Sequence, residues 1–432
     1  MRLQDLPFAP PLIGEEEISE VIDTLRSDWI TTGPKVKRFE REFAAYLGAP
    51  VALAVNSCTA ALHLALLALG IQPGEGVITT PLTFCSGIHV IEHVGARPVL
   101  VDVEPQTLNL DPAKVTAALA GLDRRRANRK APRDGGPVKA IMPVHLYGHP
   151  CQLDELLEIA RRRQLAMIED AAHALPAKYK GRFIGNLSDS AGVPLLTAFS
   201  FYATKNMTTA EGGMLTGPPE LVDVARLLSL HGMSRDAWKR YSSEGSWYYE
   251  VVRPGFKYNM TDIQAAIGLV QLRKLSGFHA RRREIVGRYN QAFAAMPELE
   301  APPERAEVEH AWHLYVLRLR TERLSLSRHQ FIEELKVRRI ATSVHFIPVH
   351  LHPYYRDKYG YRPHDFPVAY DAYQRMISLP LAPRMTDDDV EDVIEAVRDV
   401  VAKHRTVCTV AVRPKLRSQS VVPGPCTYAP RL

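Results

Sequence analysis

The sequence predicts an α/β fold: a large domain on a mostly parallel mixed sheet flanked by helices, then a smaller C-terminal α/β domain. Three observations carry this. Between residues 51 and 202, short apolar runs alternate with helical stretches, the signature of βαβ units. From about Thr261 the pattern changes to long helices, and from Trp312 strand and helix patterns return. At 432 residues with ordinary globular composition, the chain can bury roughly two or three domain cores. The expected division is residues 1–275, 276–405 and a disordered tail at 406–432, where periodicity ends and Pro and Ser accumulate.

Ile18, Val21, Ile22 and Leu25 follow helical spacing; Trp29 to Pro34 breaks the pattern, and Phe39, Phe43, Tyr46 and Leu47 mark a second amphipathic helix ended by Gly48. Val51–Val55 suits a buried strand. It turns at Asn56–Thr59 into a helix over 60–69, and small polar residues at a helix start can either cap it or hold a phosphate. Strand 77–80, helix 86–93, strand 97–103 and a helix from Asp111–Pro112 follow. Gly121 to Pro137, rich in Gly, Pro and charge, reads as an exposed loop. Strand 138–144, helix 153–163, strand 165–168 and the apolar run 195–202 complete the large domain. Beyond it stand helices at 263–272 and 281–293, with continuity between them left open, then strand 312–319, helix 330–336 and a closing helix at 387–404.

Lys205 follows the apolar run and precedes Gly212–Gly213, which places it near a buried strand end. A desolvated lysine has a lowered pKa, and its neutral amine attacks carbonyls; a lysine snorkelling at a strand end is the ordinary alternative. Ligands of parallel sheets sit at carboxyl strand ends, where Asn56–Thr59, Phe84, Asp170 and Lys205 all fall. No Gly-x-Gly-x-x-Gly follows any of these strands, which argues against a nicotinamide-binding domain.

The net charge of +6 is concentrated in Arg124–Arg133 and the tail, runs that read as solvated surface rather than a nucleic-acid footprint. Five irregularly spaced cysteines suggest reduced thiols in a cytoplasmic protein; neither an export signal nor a membrane span is expected. His145 with His149, and His345 with His350 and His352, lack the carboxylate or cysteine partners of a metal set, so no metal is expected.

Four ordered segments carry a resemblance. Asn56 to Leu62, Glu169 to Ala174, Ser200 to Asn206 with Glu211–Gly213, and Met260 to Ala266 resemble the nucleotide-sugar aminotransferases (DegT/DnrJ/StrS type), whose fold is the aspartate-aminotransferase-like fold type I. The resemblance runs from about Pro11 to Val401. It implies pyridoxal 5'-phosphate (PLP) as cofactor, bonded to Lys205, with Asp170 pairing with the ring nitrogen. It further implies Phe84 against the ring face, His173 near the ring, and Thr59, Ala60 and Ser200 at the phosphate. Thr31, Thr32, His345 and Tyr354 become candidates for the sugar side, with Trp29–Gly33 and Arg235–Tyr241 as neighbouring stretches. The implied partners are a nucleotide-linked ketosugar, an amino donor such as L-glutamate, and a second copy of the chain in a homodimer with shared sites.

Two features depart from the common pattern. Cys58 stands where glycine is frequent, and Gly255–Asn259 has a Lys-Tyr-Asn form that leaves the intersubunit role of Lys257 and Asn259 open. Lys205 itself argues against the dehydratase branch, which carries histidine there. A PLP lyase or racemase on this fold, or a non-catalytic regulatory or nucleic-acid-binding protein, remain the rival readings.

Overall fold

A computed structural model describes residues 4–127, 135–186, 190, 192–233 and 248–406. The first elements are α1 (Glu15–Arg26), α2 (Pro34–Leu47), β1 (Val51–Val55), α3 (Cys58–Ala68), β2 (Gly76–Thr79), α4 (Ser86–His93), β3 (Arg97–Leu100) and α5 (Pro112–Ala127). Then come β4 (Val138–Ile141), α6 (Leu153–Arg163), β5 (Ala166–Asp170), β6 (Lys178–Tyr179), β7 (Arg182–Phe183), β8 (Leu195–Ser200), β9 (Gly213–Gly217) and α7 (Pro219–Ser229). The 32-residue α8 (Asp262–Phe293) leads to β10 (Leu299–Glu300), β11 (Val308–Glu309), β12 (Tyr315–Leu319), α9 (Arg328–Val337), α10 (Pro353–Tyr359), α11 (Pro367–Arg375), β13 (Met376–Leu379) and α12 (Asp387–His404).

The main sheet has the order β1-β9-β8-β5-β4-β2-β3. Pairings of β2 with β3, β2 with β4, β4 with β5 and β5 with β8 are parallel; β9 runs antiparallel to both β1 and β8. The carboxyl ends of β1, β2, β4, β5 and β8 therefore share one edge, and the segments that follow them build the site. Register brings Val55 opposite Gly213 and Gly213 opposite Ser200, so β1 and β8 end two strand spacings apart, about 10 Å.

The second sheet, β10-β12-β13, is antiparallel. Two apolar cores meet along α8: Ala265, Leu269, Leu272 and Leu275 pack in the first, with Phe39, Phe43 and Phe199, while Ile285, Val286, Tyr289 and Phe293 pack in the second, with Phe331 and Val397. Continuity of α8 follows from the Arg, Lys, Leu and Ala residues of 273–283, which carry the helix through Ser276 and Gly277, and from a complete capping box at Thr261 and Gln264.

The basic stretch differs from the expectation. Residues 121–127 continue α5 instead of opening a loop. Leu, Arg and Ala favour helix, and Gly121 has open space around its Cα. The remainder of that basic stretch, 128–134, lies outside the described residues, as do Arg235–Tyr241 and the tail from 407. Helix α1 packs on α8 through Glu17 and Thr24, while its apolar stripe faces outward, with Ile18, Ile22 and Leu25 44, 40 and 54 % exposed. Glu17 is held inside by Lys274 Nζ at 2.9 Å and Gln271 Nε2 at 2.7 Å. No helix among the described residues is long and apolar enough to cross a membrane.

Candidate active site

Asp170 ends β5, and its side chain is buried, taking the Ala172 amide on Oδ1 at 3.1 Å. Burial pushes its carboxyl up, against the Ala172 N–H and the charge of Lys205, which pull it back. Oδ2 lies beneath the first turn of α4, where a Cβ on Gly87 would stand 3.8 Å from it. Phe84, two residues before α4, is 59 % exposed.

Lys205 sits in the turn after β8, its amide donating to Tyr202 O at 2.9 Å. Protein closes around the stem while the residue keeps some accessibility. That desolvation lowers the amine to about 8, opposed by Cys58 and Asp170. At neutral pH an appreciable fraction is unprotonated, so it can attack a carbonyl or shuttle a proton.

The start of α3 faces this amine. Ser57 Oγ accepts the Ala60 amide at 3.1 Å, so the Ala60 N–H is engaged within the cap, and exposed Thr59 stands in the first turn. Gly213 of β9 touches the turn directly: a Cβ there would meet Ser57 C at 2.5 Å and Cys58 N at 2.6 Å. Only glycine permits that approach, and Ser200 pairs with the same residue from the other side. A helix N-terminus, Thr59 and Ser200 thus converge on one edge, a donor set suited to a phosphate.

Three histidines surround the amine. His173 and His313 have ring centroids 4.4 Å apart, and Phe346 stacks on His173 at 5.8 Å while standing 5.9 Å from Phe84. His345 Nδ1 meets Ser378 Oγ at 2.8 Å. Burial depresses all three imidazoles, with Lys205 adding to the effect, and His345 falls to about 4. They are neutral at pH 7.

Thr32 Oγ1 accepts from Asn259 Nδ2 at 2.6 Å and donates to Met260 O at 2.5 Å, while Thr31 O accepts the Asp262 amide at 2.9 Å. Both threonines are thus bound to the segment that carries the Lys-Tyr-Asn departure. Asn259 Oδ1 is buried without a hydrogen-bond partner. Tyr354 stands apart from this cluster: its hydroxyl donates to Glu92 Oε2 at 2.7 Å in the last turn of α4, about 10 Å of helix beyond Phe84.

His145 and His350 have structural partners. His145 Nδ1 takes the Cys151 amide at 3.1 Å with Nε2 3.5 Å from Glu169, and His350 Nε2 meets Pro363 O at 3.2 Å. Among the described residues no group of three His, Cys, Asp or Glu could hold a metal ion.

Sequence reasoning missed His313, Phe346 and Tyr147. His313 lies in an apolar strand approach, where a lone histidine reads as core, and Phe346 beside His345 reads as ordinary packing. Asn206 was within a motif but without a role.

The residues fit PLP. A buried carboxylate for a ring nitrogen, an amine of lowered pKa, an aromatic ring and imidazole linked through Phe346, and a helix start that Gly213 approaches with no room for a side chain all lie at the carboxyl ends of the main-sheet strands.

Comparisons with known proteins agree. The model of the DegT/DnrJ/EryC1/StrS aminotransferase family matches residues 11–398. The spore coat polysaccharide biosynthesis protein SpsC of Bacillus subtilis is 54% identical over 398 residues, covering 92% of this chain and 97% of the relative. The putative sugar aminotransferase Spr1654 of Streptococcus pneumoniae, solved in its PMP form, superposes with TM-score 0.82 at 36% identity, covering 92% of this chain and all of that one. Its PLP form gives a TM-score of 0.81, with 92% and 99% coverage.

Proposed function

The chain belongs to the DegT/DnrJ/EryC1/StrS aminotransferase family and is a PLP-dependent sugar aminotransferase of fold type I, and from that premise we propose its donor, acceptor and site. The donor is L-glutamate and the acceptor a nucleotide-linked ketosugar, a 3-keto or 4-keto hexose or pentose. Glutamate and the ketosugar yield 2-oxoglutarate and an amino sugar destined for glycan, lipopolysaccharide or natural-product synthesis. The name of the Bacillus subtilis relative supports a polysaccharide destination.

The observation that carries this reading is the pairing of a lysine lowered to about 8 with a buried aspartate at one sheet edge. Bound PLP supplies an aldehyde for the amino group and a ring that withdraws electrons from the carbon losing its proton. Lys205 would hold the aldehyde group of the cofactor and, as a general base, would take the proton from the donor carbon. Asp170 would pair with the ring nitrogen and favour its protonated form. Phe84 and His173 would orient the ring, and Thr59 and Ser200 would hold the phosphate, with the Ala60 N–H shared between it and Ser57 Oγ. Thr31, Thr32 and His345 form the sugar side, with Tyr354 reached by a longer substrate arm.

We further propose a homodimer with shared sites, acting in the cytoplasm. Ile18, Ile22, Leu25, Trp29 and Ile30 form an outward apolar stripe that leads into Thr31–Thr32, and Lys257 and Asn259 lie next to that loop as candidates to reach the partner's cofactor. Cys58, Cys85 and Cys151 are free thiols, in keeping with a reducing compartment. The large and small domains divide near residue 275, where α8 passes from the first core to the second.

The test is to incubate the PLP-loaded enzyme with L-glutamate and a panel of nucleotide-linked ketosugars. Stoichiometric 2-oxoglutarate and amino sugar are expected. Transfer only to 2-oxo acids, or loss of the donor's amine without an acceptor, would place the chain with a different substrate class or a lyase.

A further inference from the structure

Asn206, the residue after Lys205, is buried, and its Nδ2 donates to Leu175 O and to Ala311 O, both at 2.8 Å. Carbonyls only accept, so both amide hydrogens are used and the orientation of the amide is fixed. Its Oδ1 must then accept from His313 Nδ1, 3.2 Å away, which therefore carries the proton. The ring is neutral, so His313 Nε2 is a bare acceptor. His173 is arranged the opposite way: its Nδ1 takes the Tyr147 amide at 3.2 Å, leaving the proton on Nε2.

Tyr147 closes this network. Its carbonyl receives the His313 amide at 3.1 Å and the Leu314 amide at 3.2 Å, and its hydroxyl donates to His345 O at 2.5 Å. Its φ of +61° is one that non-glycine residues seldom adopt and that persists only where the surroundings fix it. Cys58 at the start of α3 and Asp170 at the end of β5 raise Lys205 against its burial, while Lys205 in turn lowers His173, just beyond β5, and His313 and His345 in the C-terminal half. Burial favours the neutral form of the thiol, the imidazoles and the Asp170 carboxyl alike, and the charge of Lys205 pulls Asp170 back toward its anion.

We propose that Asn206 and His313 are a positioning pair for Lys205: Asn206 ties the lysine turn to the segment after β5 and to residues 311–313, and it holds His313 in the Nδ1–H tautomer beside the amine. Neither is a catalytic residue, since both act through the placement of Lys205. The inference rests on Lys205 as the reactive amine, but its test needs no cofactor.

The experiment is pulse acetylation of the PLP-free chain with acetic anhydride across pH 6.5 to 10. Lys205 modification is quantified by peptide mass spectrometry against exposed Lys336. The wild-type midpoint is expected near 8. In N206A, where the turn loses its ties and the amine gains water, it rises by about one unit or more toward that of an ordinary lysine and labelling at pH 7.5 falls about tenfold; in H313L, where an apolar side chain replaces an acceptor, the midpoint falls. H313N, whose side-chain amide can donate to Asn206 Oδ1, restores the wild-type midpoint. Unchanged midpoints in folded N206A and H313L, or an H313N variant that melts like wild type yet labels like H313L, would overturn the proposal. If N206A does not fold, the H313L and H313N pair decides alone. A wild-type chain that labels as expected but takes up no PLP would sink the cofactor site and leave the positioning pair standing.

Discussion

The Asp262 carboxylate accepts the Gly33 amide at 2.8 Å, and with it the Lys35 amide at 3.0 Å and the Val36 amide at 2.9 Å. One buried aspartate at the start of α8 thus caps α2 from more than two hundred residues away. Gly33, the N-cap position itself, has no side chain to do so. This cap fixes the Thr31–Thr32 loop against Asn259, so a packing interaction positions the proposed sugar side.

Asp262→Ala removes three charge-assisted hydrogen bonds and leaves the α2 amides without partners. The expected loss is about 2–4 kcal/mol of stability, seen as a lower urea midpoint at unchanged m-value. KM for the sugar substrate should rise as Thr32 loosens. A loss below 0.5 kcal/mol would show that α2 is held elsewhere.

Acid should destabilise the fold before carboxylates titrate. His173, His310 and His313 are driven well below the ordinary imidazole range by burial, and His63, His279 and His345 to about 4. Their pKa values are lower folded than unfolded, so the unfolded chain binds more protons below pH 6.5. The stability they contribute is complete above about 6.5 and is lost as pH falls toward 4. Urea unfolding at pH 7.5, 6 and 5 should show a loss of at least about 2 kcal/mol per pH unit over the lower interval. A flat profile would mean the imidazoles gain water in solution.

How much of this could be read beforehand depended on how local the signal was. Helices α4 and α12 and strand β1 were legible to the residue because turn residues and apolar runs bound them closely. Helix α1 was legible in period but not in direction: Ile18, Ile22 and Leu25 mark a face, and nothing local says that Glu17, paired with Lys274, takes the inside. The helical residues 121–127 were hidden by charge, which signals exposure but not backbone conformation. Lys205 and Asp170 were recognised through motifs. His313 and Tyr147 enter only through contacts between distant segments, which no spacing rule encodes.

The Asp170→Asn variant tests the ring-nitrogen partner. An amide has the shape of the carboxylate without its charge, so PLP should be retained at least about tenfold more weakly, the scale of one charge-assisted hydrogen bond. Equilibrium dialysis measures this directly. Unaltered retention would assign the ring nitrogen to another group.

Ile18→Glu and Leu25→Glu place charge on the outward stripe of α1. If that stripe meets a second copy, light scattering should show a dimer for the wild type and a shift toward monomer for the double variant, with the melting temperature of the monomer little changed. A wild-type chain that is monomeric at micromolar concentration with full activity would contradict shared sites.

The central claim is a Lys205-dependent PLP site that accepts an amino group from glutamate. Its most direct test is the absorbance spectrum of the purified chain with PLP, before and after L-glutamate, beside Lys205→Ala. The account predicts a visible band that requires Lys205 and gives way to the near-ultraviolet band of the aminated cofactor when glutamate is added. A chain that binds PLP without a Lys205-dependent band, or whose band ignores glutamate while responding to other amines, would contradict it.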